Sequence, residues 1–235
     1  MSVEEDPLSV TLDRLAQAVG QPTENLDTVK TLITRLHSKL KVQDGEARLA
    51  TLAKIIPPER QTLEQLVHVL EGCSEPSLVA AVCSLLHDAL SPINKGEIRD
   101  IVIQTCLALN TAEVIFRTLK ALATEGLTVI ESCIHPAYQV LAKLASKDPK
   151  IAIKARLVGG VKLTHQLLQA HMKNCVPLLP LLMVTKYLAK NSTNQVMLGK
   201  DGCVATLAAI LTSVPKTHWA KMKFLMEVLA LLTKA

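Results

Sequence analysis

Apolar residues recur at helical spacing along most of the chain. The clearest case is Leu26, Val29, Ile33, Leu36 and Leu40, a stripe stepped by three and four residues that an α-helix brings to one face. No run alternates apolar and polar positions for long enough to argue a strand. Helix punctuation is dense. Asp6-Pro7 offers a cap followed by proline at the first helical position, and Gly20 closes that helix. After the helix at about 26–40, the pattern predicts helices near 46–56, stopped by Pro57-Pro58, and 59–71, ended by Gly72. Others follow near 76–90, 97–109, 111–124, 127–134 and 136–146, then 149–158, 161–172, 176–190, 193–199, 203–212 and 217–233.

The last third repeats itself. The run from Arg156 through Gly159-Gly160 to Leu167-Leu168 is echoed 43 residues later, where Gly202 stands for Gly159, Val204 for Val161, Ile210 for Leu167 and Leu211 for Leu168. Each time a short helix ends at glycine and a longer amphipathic helix begins. A period of about 40–47 residues belongs to armadillo and HEAT arrays, and a short-long-long helix order favours armadillo. The expected fold is therefore all-α: an armadillo/HEAT-type helical repeat superhelix, or α-solenoid. Residues 1–72 fit the period poorly and read as an N-terminal helical capping segment; residues 73–235 read as one continuous array. The segments at 176–190 and 203–212 are expected to pack antiparallel within one repeat. Each repeat leaves an apolar face for its neighbour and a curved surface for a partner.

Composition supports the helical reading. Hydrophobic residues make up 49% of the chain and aromatics only 2%, a core that suits closely packed helices better than sheets. The longest stretch without Lys, Arg, Asp or Glu runs from Gly202 to Pro215, short of a membrane span. The acidic N-terminus, with Glu4-Glu5-Asp6, lacks the features of a secretion signal and places favourable charge at a helix start. Six cysteines without any CxxC pair read as reduced, buried packing residues of an intracellular protein. The seven histidines form no cluster with ligand spacing, and no glycine-rich loop ends in GK[ST]. No catalytic residue, cofactor site or metal ligand is expected.

Charge changes the picture most. Residues 1–140 hold 12 Lys+Arg and 18 Asp+Glu, net −6, whereas residues 141–235 hold 14 and 3, net +11. Lys143, Lys147, Lys150, Lys154, Arg156 and Lys162, with Lys186 and Lys190, are the candidate partner-binding residues. Their bland reading is a solvated repeat face. Their functional reading is a surface for an acidic protein, since a single-sign patch raises local potential and on-rate. A nucleic-acid binder or a generic armadillo adaptor is the alternative, but scarce aromatics offer almost no stacking platform for bases. Trp219 is expected to pack against the preceding repeat, with partner anchoring as the rival role.

One stretch carries a family resemblance: Leu141-Ala142-Lys143, Lys147-Asp148, Lys154-Ala155-Arg156, Gly159, Leu163-Thr164 and Leu167, then Leu178-Leu179-Pro180 and Leu198-Gly199-Lys200-Asp201-Gly202. From about His135 to Leu232 the chain resembles the N-terminal armadillo-like region of the cytosolic carboxypeptidases, which trim glutamates from tubulin tails. The resemblance implies a non-catalytic module in the cytoplasm, with the nucleus as the alternative. It also implies a zinc-dependent peptidase domain downstream, and a tubulin-like acidic partner or docking against that domain as the role. A peptidase of that kind needs a His and Glu three apart plus a distant His. His68 and Glu71 have the spacing, but inside a helical run, where residues three apart simply share a face.

Overall fold

The computed structural model describes residues 7–19, 26–42, 45–55, 61–90, 97–173, 175–213 and 218–233, and every regular element among them is helical. The chain gathers into two compact units, residues 1–111 and 112–235. The boundary expected at residue 72 falls inside the first of these.

The first unit contains α1 (Pro7–Val19), α2 (Leu26–Val42), α3 (Gly45–Ile55), α4 (Thr62–Leu70), α5 (Pro76–Ala89) and α6 (Glu97–Ala108). Pro7 opens α1 as expected, while Asp6, Gly20 and Pro57-Pro58 lie outside the described residues. The stripe on α2 faces inward: Val29, Ile33, Leu36 and Leu40 are buried, and α2 packs on α1 and α5. Each such side chain contributes about 1.5–3 kcal/mol by leaving water. Pro76 takes the first position of α5, where its missing N–H costs nothing. The residue before it, Glu75, meets Lys30 of α2 at 2.6 Å.

The second unit holds α7 (Thr111–Leu122, its first residue at the boundary), a 3₁₀ turn at Ala123–Glu125, α8 (Glu131–Ala145), α9 (Ile151–Leu157), α10 (Gly160–Ala170), α11 (Cys175–Leu188), α12 (Ser192–Lys200), α13 (Cys203–Ser213) and α14 (Trp219–Leu232). Two three-helix repeats stand out, α9–α10–α11 and α12–α13–α14. In each, a left-handed glycine joins the first helix to the second: Gly159 at φ 81° and Gly202 at φ 82°. Glycine adopts that conformation without the Cβ penalty other residues meet, which is why the echo centres on it.

Two expectations fail here. Residues 127–134 and 136–146 were expected to form two separate helices. Instead residues 127–130 form a turn, and a single helix runs through the proline at its sixth position. A mid-helix proline costs about 3 kcal/mol. On both sides of it Cys133, Ile134, Ala137, Tyr138, Val140 and Leu141 are buried, and packing on that scale outweighs the penalty. The partner of α11 is also different. It packs on α8, α10 and α14, not principally on α13. Helices α8, α11 and α14 are the third members of successive repeats, so they stack on one another. Leu178, Leu181, Leu182, Val184 and Leu188 are fully buried, so α11 has apolar neighbours on several sides.

Buried polar groups tie the repeats together. The Tyr138 hydroxyl on α8 meets Thr164 Oγ1 on α10 at 2.8 Å, and His165 Nε2 on α10 meets Thr206 Oγ1 on α13 at 3.0 Å. The Asn194 amide on α12, fully buried, donates to the carbonyls of Ala152 and Leu188 at 2.9 and 3.0 Å. Leaving such groups unmade would cost about 1–3 kcal/mol each, so they fix the register between repeats.

Candidate partner-binding site

The turns that follow the third helices of two successive repeats share one design. After α8, Asp148 is buried and accepts from the Lys150 backbone N–H and from Lys154 Nζ, both at 2.8 Å. Forty-three positions later, Asn191 accepts from the Asn194 backbone N–H at 3.2 Å and from Arg156 Nη1 at 3.0 Å. Short polar side chains suit these places because they bond the orphan N–H groups at a helix start. The residue before each of these two acceptors is an exposed lysine, Lys147 in one turn and Lys190 in the other.

These turns flank one open pocket of about 310 Å³, with Lys147, Asp148, Tyr187, Lys190 and Asn191 in its lining. The Lys190 ammonium lies 4.6 Å from the Tyr187 ring centroid, a contact that holds the side chain near the pocket. Two exposed cations beside amide and hydroxyl groups suit a carboxylate.

The structure sorts the eight candidate residues. Lys147 and Lys190 come together at the pocket. Lys154 is bound to Asp148, and Arg156 spans to the next repeat's cap. Lys186 meets Glu227 of α14 at 2.7 Å and lies 5.2 Å from the Phe224 ring centroid. That ammonium holds the Glu227 carboxyl below its usual range. These three cations are therefore committed within the fold. Lys150 and Lys162 are exposed and Lys143 is half-buried, all outside the pocket lining. Lys143 lies on α8, which stops at Ala145, so Lys147 and Lys150 do not share a helix with it. Tyr187 and Asn191 were missed, although the echo of Lys147-Asp148 in Lys190-Asn191 signalled the second turn.

Elsewhere, Cys83, Cys106, Cys133 and Cys203 are buried, while the Cys175 side chain lies outside the described ones. Burial pushes the Cys106 thiol up to about 11 and Cys203 up to about 12, away from the reactive thiolate. His68 on α4 and Glu71, the extended residue just past its end, lie 3.7 Å apart and are both exposed. Among the described residues no three His, Cys, Asp or Glu gather as a metal site. No single helix among them is long and apolar enough to cross a membrane; α12 and α13 reach that composition only as a pair bent by 74°. Trp219, expected in the core, is 80% exposed at the start of α14.

Comparison with known proteins agrees with this helical-repeat organisation. The pattern of a family described as "CCP1-like, N-terminal TPR repeats" matches residues 7–235. Cytosolic carboxypeptidase 1 of Gallus gallus is 26% identical over 173 residues, covering 74% of this chain and 14% of that protein. The Mus musculus protein of the same name is 33% identical over 105 residues, 45% of this chain and 9% of its own length. Cytosolic carboxypeptidase 4 of Mus musculus is 26% identical over 177 residues, 75% and 15% respectively. The chain thus spans a small part of each relative's length. An engineered protein of known crystal structure shares the fold at a TM-score of 0.59 and 17% identity, over 99% of this chain and 93% of that one. With a family pattern spanning both units, the chain belongs to the CCP1-like N-terminal repeat family, and what it shares with the cytosolic carboxypeptidases is their repeat region.

Proposed function

We propose that this chain is a non-catalytic protein-binding module, and that its second unit takes an acidic segment of a protein partner at the pocket between Lys147 and Lys190. The observation that carries the reading is that pairing of two exposed lysines, 43 residues apart in sequence, at one pocket. The positive balance of the surrounding residues adds a long-range pull on an acidic chain. The named activity of the relatives supports a parent protein with a carboxypeptidase domain, working in the cytosol. A glutamate-rich chain of the tubulin-tail kind is then the natural partner class.

The test is affinity for a glutamate-rich peptide across a salt series. Each exposed ion pair is worth about 0.2–1 kcal/mol. The double reversal Lys147→Glu/Lys190→Glu replaces two attractions by repulsions and is expected to weaken binding about tenfold. The loss is expected to shrink with added salt. Lys162→Glu, away from the pocket, is expected to change little. Lys154 is a poor probe, because reversing it strands the buried Asp148 carboxylate. Unchanged affinity in the folded double variant would reduce the lysines to solubility. Preference for single-stranded RNA over the peptide would turn the reading toward nucleic acid.

A further inference from the structure

We infer that the segment this site accepts is amphipathic as well as acidic, with large apolar side chains that lie along the first helices of the two repeats. The inference rests on the basic-pocket reading above and adds a second, separable contact to it.

Helix α9 has seven residues, too few to hold a helix without packing, and it buries Ile151, Ala152 and Ala155 against the rest of the unit. Its outer face is nonetheless apolar. Ile153 is 43% exposed and Leu157, one turn further on, is 77% exposed. Residues four apart share a helix face, about 6 Å along the axis. Ile153 also lines the pocket of Lys147 and Lys190, so the apolar face begins at the basic pocket and runs away from it.

The next repeat continues the row. Val196 on α12 stands 43 positions after Ile153 and is 48% exposed. Helix α12 is held beside α9 by two bonds, Arg156 to Asn191 at 3.0 Å and the Asn194 amide to the Ala152 carbonyl at 2.9 Å. Ile153 stands at the two ammonium groups, and Leu157 and Val196 are exposed on the same helix and on the helix bonded to it. Scattered single exposures are ordinary, but apolar side chains at repeated positions bordered by charge are a usual form of binding surface.

Charge complementarity selects the occupant. Its carboxylates would seat against Lys147 and Lys190, and Leu-like side chains a turn or so along would cover Ile153, Leu157 and Val196. A purely acidic tail would leave the strip in water. A nucleic acid would find a single ring at the pocket, Tyr187, with the Lys190 ammonium already 4.6 Å from its centroid.

Two labelled peptides distinguish these cases on the full chain: an octaglutamate, and an equally charged peptide carrying two leucines four residues apart. The leucine peptide is expected to bind several-fold more tightly, and to keep that advantage at about 0.5 M salt, where screening shortens charge interactions to a few ångströms. The variant Leu157→Ser/Val196→Ser is expected to bring it down to the octaglutamate level and to leave octaglutamate affinity unchanged. Both residues are exposed, and circular dichroism is the check that the variant is folded. Equal affinity for the two peptides, or an advantage that survives the double serine variant, would overturn the inference. Sedimentation showing self-association that the same variant abolishes would also overturn it, by giving the strip to a second copy. Failure of octaglutamate to respond to Lys147→Glu/Lys190→Glu is a different result, and sinks the basic-pocket reading instead.

Discussion

At the start of α10, the residue after the left-handed glycine is Gly160, and the space where its Cβ would stand is filled by the Phe116 ring. Forty-three residues on, at the start of α13, the corresponding position is Cys203, fully buried. The next position is Val161 in one repeat, 1% exposed, and Val204 in the other, 37% exposed. Two residues of the same kind, in the same place on the same frame, differ in burial because their neighbours differ. Helix α10 has Phe116 of α7 and Tyr138 of α8 against it as well as α9, α11, α12 and α13, whereas α13 packs chiefly on α10, α12 and α14. A repeat's sequence pattern specifies which face turns inward; what lies on either side specifies how completely that face is covered.

The comparison is broken most forcefully at Gly160. A Cβ there would stand 2.6 Å from Phe116 Cδ1, closer than side-chain carbons approach. Phe116 is itself fully buried and meets Tyr138 edge-on with centroids 6.3 Å apart, so its ring has little room to retreat. Gly160→Ala is expected to destabilise by about 1–3 kcal/mol through overpacking, and Gly160→Cys, the residue of the other repeat, by more. Adding Phe116→Leu should recover part of the loss. Cys203→Ala, which removes one buried sulfur, should cost about 1 kcal/mol. Urea denaturation reads all four, and a Gly160→Ala cost no larger than that of Cys203→Ala would show that the two positions are packed alike.

A second difference is titratable. His165 on α10 is 3% exposed and bonded to Thr206, while the corresponding residue on α13 is Ala208, exposed. Burial pushes the imidazole below its ordinary range, and the charge of Asp201 pulls weakly the other way. Between the lowered folded value and the ordinary value near 6.5, the unfolded chain binds more protons than the folded one. Stability therefore rises with pH in that window and is lost as pH falls through it. One such proton gives a slope of at most about 1.4 kcal/mol per pH unit. His165→Gln is expected to flatten the decline that sets in below about pH 6.5, whatever it does to stability at neutral pH. An unchanged slope in denaturation curves across that range would contradict the assignment.

Much of this frame was legible in the sequence because it is local. The Gly159/Gly202 echo marks a backbone conformation that glycine favours, and the apolar spacings of α2, α10 and α13 mark which face packs. What was not legible depends on the third dimension. Lys186 and Glu227 are 41 residues apart, and only the stacking of α11 on α14 makes them a pair. Pro136 reads locally as a helix break and is overruled by burial on both sides. For the same reason a count of lysines could locate the basic half but not sort its members. Lys154 is held by Asp148 in the turn before its own helix and Arg156 by the Asn191 cap of the following repeat, and only the paired turns single out Lys147 and Lys190.

The smallest expected effect concerns the third helices. Val176, second residue of α11, and Trp219, first of α14, are 43 residues apart and 62% and 80% exposed. On this point the two repeats agree, which makes the agreement a sharp test. A side chain that keeps most of its area in water loses little when truncated, so Val176→Ala and Trp219→Ala should each shift stability by no more than about 0.5 kcal/mol. Trp219 is the chain's single tryptophan, so its fluorescence reports this site alone. The folded protein should emit like an indole in water, and a soluble quencher should reach it nearly as well before unfolding as after. Its emission should then barely move through a urea transition that circular dichroism sees clearly. A blue-shifted, protected emission in the folded state would mean that something covers the start of α14 in solution. Trp219→Ala would then cost well over 0.5 kcal/mol, and the likeness to Val176 would end at sequence position.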